Sequence, residues 1–316
     1  MNMEKHEKKT FEYDVAIIGG GPAGLSAAVY CRRSGLKTVV LESGNWGGAI
    51  CQTEEVENYP AVSSMSGPEL GKLFTKQAEA FGADLATCFA DSIKFDDKYK
   101  VIYTSRDTYR AKAVIIATGS VFSHLGCPGE MDYIGRGVSY CATCDAPFTQ
   151  DCRVAVIGGG NTAVEEGTYL TKFAQKVFII HRRDTFRADA ISVERLKNNP
   201  KIEPIYDTVA TSICGDGDLI TKVVLKNVKT GKISELPVDF VFIFVGSRPN
   251  NQLVKYMVKC AENGGWIETD SSLATSVPGI FAAGDVRRTP LRQVVTAASD
   301  GAVAAHGAYK YITENF

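Results

Sequence analysis

Two cysteines three positions apart, Cys141 and Cys144, have the spacing of a redox-active pair. At this separation on one helical turn, two sulfurs are close enough for a disulfide, and a helix N-terminus stabilises a thiolate. Asp145 follows directly, and a carboxyl group there can exchange the proton that thiol–disulfide chemistry requires, although it could instead cap a turn. The three residues predict a dithiol switch in which Cys141, Cys144 and Asp145 are the catalytic groups.

A structural zinc site is the main alternative for the cysteine pair. Such a site needs two further ligands, and the sequence has no second CxxC and no HxxxH-type pair. We therefore predict no metal. The chain has nine cysteines, and those outside the pair lack diagnostic spacing, so we expect them to be small hydrophobic residues kept reduced.

Two segments repeat one pattern of apolar strand, glycine turn, amphipathic helix and apolar strand. VAIIGGGPAGLSAAVYCRRSGLKTVVLE starts at Val15, and VAVIGGGNTAVEEGTYLTKFAQKVFIIH starts at Val154, an offset of 139 residues (154 − 15) without a gap. Each segment is typical of a βαβ unit. A lone GxGxxG is weak, but two in register, each between a strand and a helix, indicate two dinucleotide sites.

The glycines of each loop have separate tasks. The first allows a tight turn, the second lets the backbone approach a pyrophosphate, and a small third residue lets the helix pack on the strand. These positions hold Gly19, Gly21 and Gly24 in the first copy, and Gly158, Gly160 and Ala163 in the second.

The residue that ends the second strand of each unit faces the ribose 2′ position. Glu42 in the first copy accepts hydrogen bonds from a free hydroxyl and repels a 2′-phosphate, which suits FAD or NAD. His181 takes this place in the second copy and is followed by Arg182, Arg183 and Arg187. Arginine forks match phosphate oxygens, so this site is predicted to bind NADPH; the alternative is a solvated basic loop.

Two further segments, residues 113–120 and 279–288, have the pattern of buried strands that end in glycine turns. Ligands bind at the carboxyl edge of a doubly wound sheet, so we expect Gly119, Gly284 and Asp285 to line the first site. The predicted class is α/β, with two Rossmann-like, three-layer dinucleotide-binding domains. One domain comprises residues 1–122 and 250–316, and residues 123–249, which carry the CxxC, are inserted in it as the NADPH domain.

Charge and hydropathy restrict the partners and the location. With 35 basic and 36 acidic side chains the net charge is -1, so we expect neither nucleic-acid nor membrane-surface binding. No stretch reaches the roughly 18 apolar residues of a membrane helix, and the polar start MNMEKHEKKT lacks a signal-peptide core. We expect a cytoplasmic protein.

From Tyr13 to Tyr311 the chain carries, in this order, the motifs GGGPAG, GG before VENYP, ATGS, CATCD, GGGNTA, HRRDTFRA, GDV and RQVVTAASDG. In this order of motifs the chain resembles the low-molecular-weight thioredoxin reductases. CATCD just before the second glycine loop, with HRR-x₃-R after it, is the specific part. The resemblance implies FAD in domain 1–122 and 250–316, NADPH in the inserted domain, and a thioredoxin or thioredoxin-like partner. It also implies a homodimer built through the FAD domains and an NADPH domain that rotates between two poses.

The resemblance also implies individual contacts. Cys144 would lie against the flavin and Cys141 would attack the partner, with Asp145 as the general acid. The implied FAD contacts are Gly19, Gly21, Pro22, Ala23, Gly24, Glu42, Gly47, Gly48, Asn58, Ala117, Thr118, Gly119, Gly284, Asp285, Arg292, Gln293 and Val294. The implied NADPH contacts are Gly158, Gly160, Asn161, Thr162, Ala163, His181, Arg182, Arg183 and Arg187.

The chain departs from the family pattern in two places. Ala49-Ile50 stands where Gln-Leu is frequent, so a side-chain contact near the flavin is expected to be missing. Asn161-Thr162 replaces the more usual Asp-Ser, which should leave the backbone contacts to phosphate intact.

Four other functions share parts of this sequence pattern. A ferredoxin-linked disulfide reductase would not need the three arginines, and a ferredoxin–NADP reductase would not need the cysteine pair. The flavoprotein of alkyl hydroperoxide reductase would need a long N-terminal extension, whereas about a dozen residues precede the first strand here. A non-catalytic redox sensor would need less than a complete electron relay. A partner other than thioredoxin also stays open.

Overall fold

The chain folds into two compact units, and the second is inserted in the first. The computed structural model describes residues 8–52, 56, 58–262 and 265–316, apart from the side chains of Thr143 and Cys144. One unit comprises Met1–Val121 and Arg248–Phe316, and the other comprises Phe122–Ser247. The first border lies one residue before the one predicted after residue 122, and the second lies two residues before the one predicted after residue 249.

The first unit is built on a largely parallel sheet. Its strands, numbered in chain order, are β1 (Thr10–Ile18), β2 (Thr38–Glu42), β3 (Asp84–Thr87), β4 (Ala90–Asp96), β5 (Tyr99–Thr104), β6 (Thr108–Ile116) and, late in the chain, β17 (Ile280–Ala282). The order β3-β2-β1-β6 is parallel, and β17 pairs with the end of β6. The sheet continues with β5, which pairs antiparallel with β6, and with β4, which pairs antiparallel with β5.

Three helices cover one face of this sheet. They are α1 (Pro22–Arg33), α2 (Gly67–Ala80) and α6 (Val294–Asn315). Alternate strand residues such as Ile17 and Ile115 pack beneath them, while Ile18 and Ile116 pack on the other face. A Cβ at Gly301 of α6 would collide with the backbone of α1, so this glycine sets how closely the two helices pack.

The second unit has a wholly parallel sheet in the order β11-β10-β9-β15-β8. Its strands are β8 (Val138–Ser139), β9 (Arg153–Gly158), β10 (Lys176–Ile180), β11 (Ile202–Ile205) and β15 (Phe240–Phe244). The helices α3 (Ala142–Asp145), α4 (Asn161–Leu170) and α5 (Ala190–Lys197) belong to the same unit.

An antiparallel meander forms the third layer of the second unit. It consists of β12 (Thr208–Gly215), β13 (Ile220–Asn227) and β14 (Ile233–Pro237). Ile213 and Val223 of the meander pack on Ile157 and Ile243 of the parallel sheet. The chain crosses between the units through β7 (Ser120–Phe122) and β16 (Ser247–Pro249), which pair with each other.

The predicted α/β class with two dinucleotide-binding units is confirmed. Among the described helices, none combines the length and the apolar composition that crossing a bilayer requires.

Candidate active site and cofactor sites

The first glycine loop brings three elements into close contact. Gly19, which follows β1, has a φ of +114°, and a Cβ there would collide with the carbonyl of Ala117 at the end of β6. A Cβ at Gly24 in α1 would collide with the carbonyl of Gly19. Gly21 precedes α1, and no side chain caps this helix. The first-turn N–H groups of α1 are therefore available to phosphate oxygens.

A cavity of about 410 Å³ opens at the carboxyl edge of this sheet. The predicted FAD contacts in its wall are Gly19, Gly21, Pro22, Ala23, Glu42, Gly48, Ala117, Thr118, Gly119, Asp285, Arg292, Gln293 and Val294. These residues come from distant parts of the chain, and the parallel strand ends bring them together.

The other four predicted FAD residues do not line the cavity. Gly24 packs against Gly19, and a Cβ at Gly284 would lie 2.8 Å from Ala23 Cβ. A Cβ at Gly47 would meet Cys51 Sγ at 2.6 Å. Asn58 donates from Nδ2 to Gln293 Oε1 at 3.0 Å. These positions support the wall of the cavity.

Sequence reasoning missed about half of the cavity wall. The missed residues are Ile18, Leu41, Ser43, Ala49, Ile50, Cys88, Phe89, Ala90, Ser120, Asn250, Gln252, Leu253, Ala283 and Ala297. Residues 88–90 follow β3, a strand of four residues that has no clear alternation of apolar side chains. A signal exists for Ser120 and Ala283, which adjoin the two predicted glycine turns. It exists also for Ile18, Leu41, Ser43, Ala49 and Ile50, which adjoin predicted contacts in the sequence.

The polar groups of the cavity fit the ribose and phosphate parts of FAD. Glu42 accepts hydrogen bonds from the N–H groups of Gly20, at 2.5 Å, and Gly44, at 2.6 Å, and a carboxylate retains acceptor positions for ribose hydroxyls. Burial raises the pKa of Asp285, and nearby Arg292 partly offsets this increase. The buried Nε of Arg292 has no hydrogen-bond partner among the described residues, although its guanidinium lies 3.7 Å from the centre of the Trp266 ring.

The second glycine loop connects β9 to α4. A Cβ at Gly160 would meet nothing within 4 Å, so the loop has space for a ligand, and no side chain caps α4. A Cβ at Gly159 would collide with the imidazole of His181. The N–H of Arg187 donates to the carbonyl of Gly159 at 2.7 Å, which joins the basic loop to the glycine loop.

The basic loop places one buried imidazole beside three exposed arginines. His181 is only 5% exposed, and its Nε2 has no hydrogen-bond partner in the described part of the chain. Burial lowers the pKa of His181, and Arg187, Arg183 and Arg182 lower it further. The arginines are exposed at the end of β10, where a 2′-phosphate would lie. This arrangement fits NADPH.

Asn161, which stands where the family usually has Asp, is hydrogen-bonded to the residue that precedes α5. Asn161 Nδ2 donates to Asp189 at 2.7 Å, and the Asp189 N–H donates to Asn161 Oδ1 at 3.0 Å. An aspartate at position 161 would place two carboxylates together. Asn161 therefore joins the glycine loop to the residue that precedes α5.

Cys141 follows β8 and lies at the same sheet edge as Gly158 and His181, because β8, β9 and β10 are parallel strands of one sheet. Cys141 is disulfide-bonded, and the Asp145 N–H donates to its carbonyl at 3.3 Å. The side chain of Cys144 lies outside the described residues. The free cysteines are Cys31, Cys51, Cys88, Cys127, Cys152, Cys214 and Cys260.

Comparisons with known proteins agree with this arrangement. Residues 13–301 match the family model described as pyridine nucleotide-disulphide oxidoreductase. A thioredoxin reductase from Peptoclostridium litorale is 47% identical over 96% of this chain and 98% of its own. The crystal structure of Lactococcus lactis thioredoxin reductase is 46% identical, covers 96% of this chain and 99% of its own, and has a TM-score of 0.93.

A ferredoxin-flavin thioredoxin reductase from Clostridium acetobutylicum is more distant, with 30% identity over 96% of this chain and 98% of its own and a TM-score of 0.52. The chain therefore belongs to the pyridine nucleotide-disulphide oxidoreductases, within the thioredoxin reductase family of low molecular weight.

Proposed function

We propose that the chain is an NADPH-dependent thioredoxin-disulfide reductase. The observation that carries this proposal is the shared sheet edge of the second unit, where the disulfide-bonded Cys141 and the glycine loop beside three arginines occur together. The cavity of the first unit, with Glu42 and Asp285 in its wall, supports a second dinucleotide, FAD. Residues 1–122 and 250–316 are accordingly proposed as the FAD domain, and residues 123–249 as the NADPH domain.

The cofactors supply hydride and electron transfer when bound, and the protein supplies orientation and a thiol pair. The predicted FAD contacts in the cavity would hold FAD. The NADPH pyrophosphate would be held by Gly158, at the end of β9, and by the uncapped start of α4, which comprises Gly160, Asn161, Thr162 and Ala163. His181, Arg182, Arg183 and Arg187 would hold the 2′-phosphate.

The thiol steps are proposed for Cys141, Cys144 and Asp145. The Cys141 thiolate attacks one sulfur of the partner disulfide, which forms a mixed disulfide and releases the other partner sulfur as a thiolate. The Cys144 thiolate then attacks Cys141 Sγ, which re-forms Cys141–Cys144 and releases the second partner thiolate. Asp145 supplies a proton to a leaving thiolate. The partner gains two electrons, and the enzyme dithiol loses two.

The partner, the assembly and the location complete the proposal. Phe148, in the turn directly after the cysteine segment, is 70% exposed and gives a thioredoxin-like partner an apolar contact. A homodimer through the first unit would bury exposed apolar side chains such as Tyr30 of α1 and Leu73 of α2. The free thiols support a reducing compartment, the cytoplasm.

Steady-state kinetics of cysteine variants test this function. With Cys141→Ser or Cys144→Ser, we expect NADPH-driven thioredoxin reduction to fall by at least about 1000-fold, because a nucleophile is lost. Flavin reduction by NADPH, followed by stopped flow, should persist. Cys152→Ser, which removes a free thiol of the same unit, should behave as wild type.

Two results would count against the proposal. Normal thioredoxin reduction by Cys144→Ser would exclude the proposed relay. If NADPH reduces the wild type once, stoichiometrically and without turnover, the result would instead favour a redox sensor. If ferredoxin reduces the wild type and NADPH does not, the result would favour the ferredoxin-linked alternative.

A further inference from the structure

The serine before the cysteine segment holds the backbone of Cys141 directly. Ser139, at the end of β8, is buried. Its Oγ accepts the N–H of Cys141 at 3.0 Å and donates to the carbonyl of Cys141 at 3.2 Å. One hydroxyl therefore satisfies both backbone groups of the cysteine that is proposed to attack the partner.

The residue between them, Tyr140, is anchored separately. Its hydroxyl donates to Glu130 Oε1 in a short hydrogen bond. Glu130 is only 1% exposed, and it also accepts the N–H groups of Leu125, at 2.7 Å, and Gly126, at 2.5 Å. The carboxylate thus joins residues 125 and 126 to the residue that precedes Cys141.

The Glu130 carboxylate is charged although it is buried. Burial alone would raise its pKa, but the hydrogen bonds from Tyr140, Leu125 and Gly126 outweigh this effect and the pKa lies below its ordinary value. Burial, together with the hydrogen bond to Glu130, raises the pKa of Tyr140, so its hydroxyl keeps the proton that it donates. A buried anion with three donors has one low-energy arrangement, which makes it a rigid anchor.

An exposed histidine completes the cluster. Because the Tyr140 hydroxyl donates its hydrogen bond to Glu130, its oxygen accepts a hydrogen bond from His124 Nδ1–H at 2.9 Å. The rings of His124 and Tyr140 pack edge to face with centroids 5.3 Å apart. The Tyr140 hydroxyl is therefore held from both sides.

From these contacts we propose that Glu130 is a positioning residue for Cys141. Its carboxylate fixes Tyr140, and together with Ser139 this anchor holds the Cys141 backbone so that the sulfur keeps one orientation during thiol–disulfide exchange. The inference rests on the proposed function, because it assigns an attacking role to Cys141. Exchange requires the attacking sulfur to lie in line with the disulfide, and a small misplacement costs rate even when binding is unchanged.

Tyr140→Phe tests the anchor by removing only the hydroxyl. We expect kcat for thioredoxin to fall about tenfold, KM to stay within about twofold, and flavin reduction by NADPH to be unchanged. Glu130→Gln keeps the shape of the side chain and one acceptor oxygen, so its kcat for thioredoxin should fall less than that of Tyr140→Phe. Tyr133→Phe is the matched control, because Tyr133 lies beside Gly215 in the same unit. Loss of its hydroxyl should leave kcat, KM and the rate of flavin reduction unchanged.

A second measurement does not depend on thioredoxin. In Tyr140→Phe the backbone of Cys141 is held less firmly, so the effective concentration of its sulfur toward Cys144 falls. Dithiothreitol should therefore reduce the Cys141–Cys144 disulfide of this variant about tenfold more readily, which equals a shift of about 30 mV in its reduction potential. An unchanged dithiothreitol equilibrium would overturn the proposal, as would a fall in flavin reduction that parallels the fall in kcat. If wild type reduces no thioredoxin, the proposed function fails, while the dithiothreitol equilibrium still decides whether Glu130 positions Cys141.

Discussion

Single side chains distinguish the two proposed nucleotide sites. Glu42 ends β2 and His181 directly follows the equivalent strand β10, but Glu42 presents a carboxylate and His181 is followed by exposed arginines. The His181 imidazole leaves no space for any residue but glycine at position 159. The second glycine loop and the basic loop are therefore packed closely against each other.

Removal of one arginine charge should change the choice of nicotinamide cofactor. For Arg183→Gln we expect KM for NADPH to rise about tenfold, because a charge-assisted hydrogen bond contributes roughly 1.5–3 kcal/mol, while KM for NADH stays unchanged. Steady-state kinetics with both cofactors and calorimetry with NADP⁺ measure this. Lys197→Gln, at an exposed position of α5, is the control. Equal increases for both cofactors would show that Arg183 does not contact the 2′-phosphate.

At the scale of elements, an ion pair connects the segment that follows β17 to α6. Asp300 of α6 accepts two hydrogen bonds from Arg287, at 2.7 and 3.0 Å, and one from the Gly284 N–H at 3.0 Å. Both charged side chains are largely buried, at 17% and 14% exposure. The pair holds the turn that carries Asp285 against the start of α6, where Gln293 and Val294 line the cavity.

Loss of this ion pair should destabilise the first unit. Asp300→Asn leaves the Arg287 charge buried without its partner, so we expect the free energy of unfolding to fall by about 3–5 kcal/mol. Urea denaturation of the FAD-free protein measures this, and titration with FAD should show weaker binding. Glu314→Gln breaks only the exposed pair with Lys310 and should change stability by less than about 0.5 kcal/mol. Equal effects of the two variants would contradict this account.

At the scale of the whole molecule, each unit has its own sheet, its own core and its own glycine loop. The first unit is discontinuous in sequence, because β17 and α6 return to it after residue 247. A ligand that binds the first unit should therefore protect peptides that are far apart in the sequence.

Hydrogen exchange read by mass spectrometry tests the assignment of the two units. FAD added to the FAD-free chain should slow exchange at residues 19–24, 117–119 and 293–297, because these line the cavity or adjoin its wall. NADP⁺ should slow exchange at residues 158–163 and 181–187. The meander β12–β14 contains no predicted contact and is the internal control. Protection of residues 19–24 by NADP⁺ alone would reverse the assignment.

Local patterns were sufficient to predict much of this protein. The two βαβ repeats, the roles of Gly19 and Gly24, and the residues at the ends of β2 and β10 follow from short-range periodicity and backbone sterics. These features act over a few residues, so they can be read from one stretch of sequence.

Other features depend on which parts of the chain pack together. The meander of the second unit, the Cys88–Ala90 part of the cavity wall and the Asp300–Arg287 pair join residues that carry no local motif. The sequence by itself determined the two glycine loops, the cysteine pair and the insertion of the second unit in the first. Only the tertiary structure decided that Ser139 and Glu130 anchor the segment of Cys141, because hydrogen bonds and burial depend on distances in space rather than on spacing along the chain.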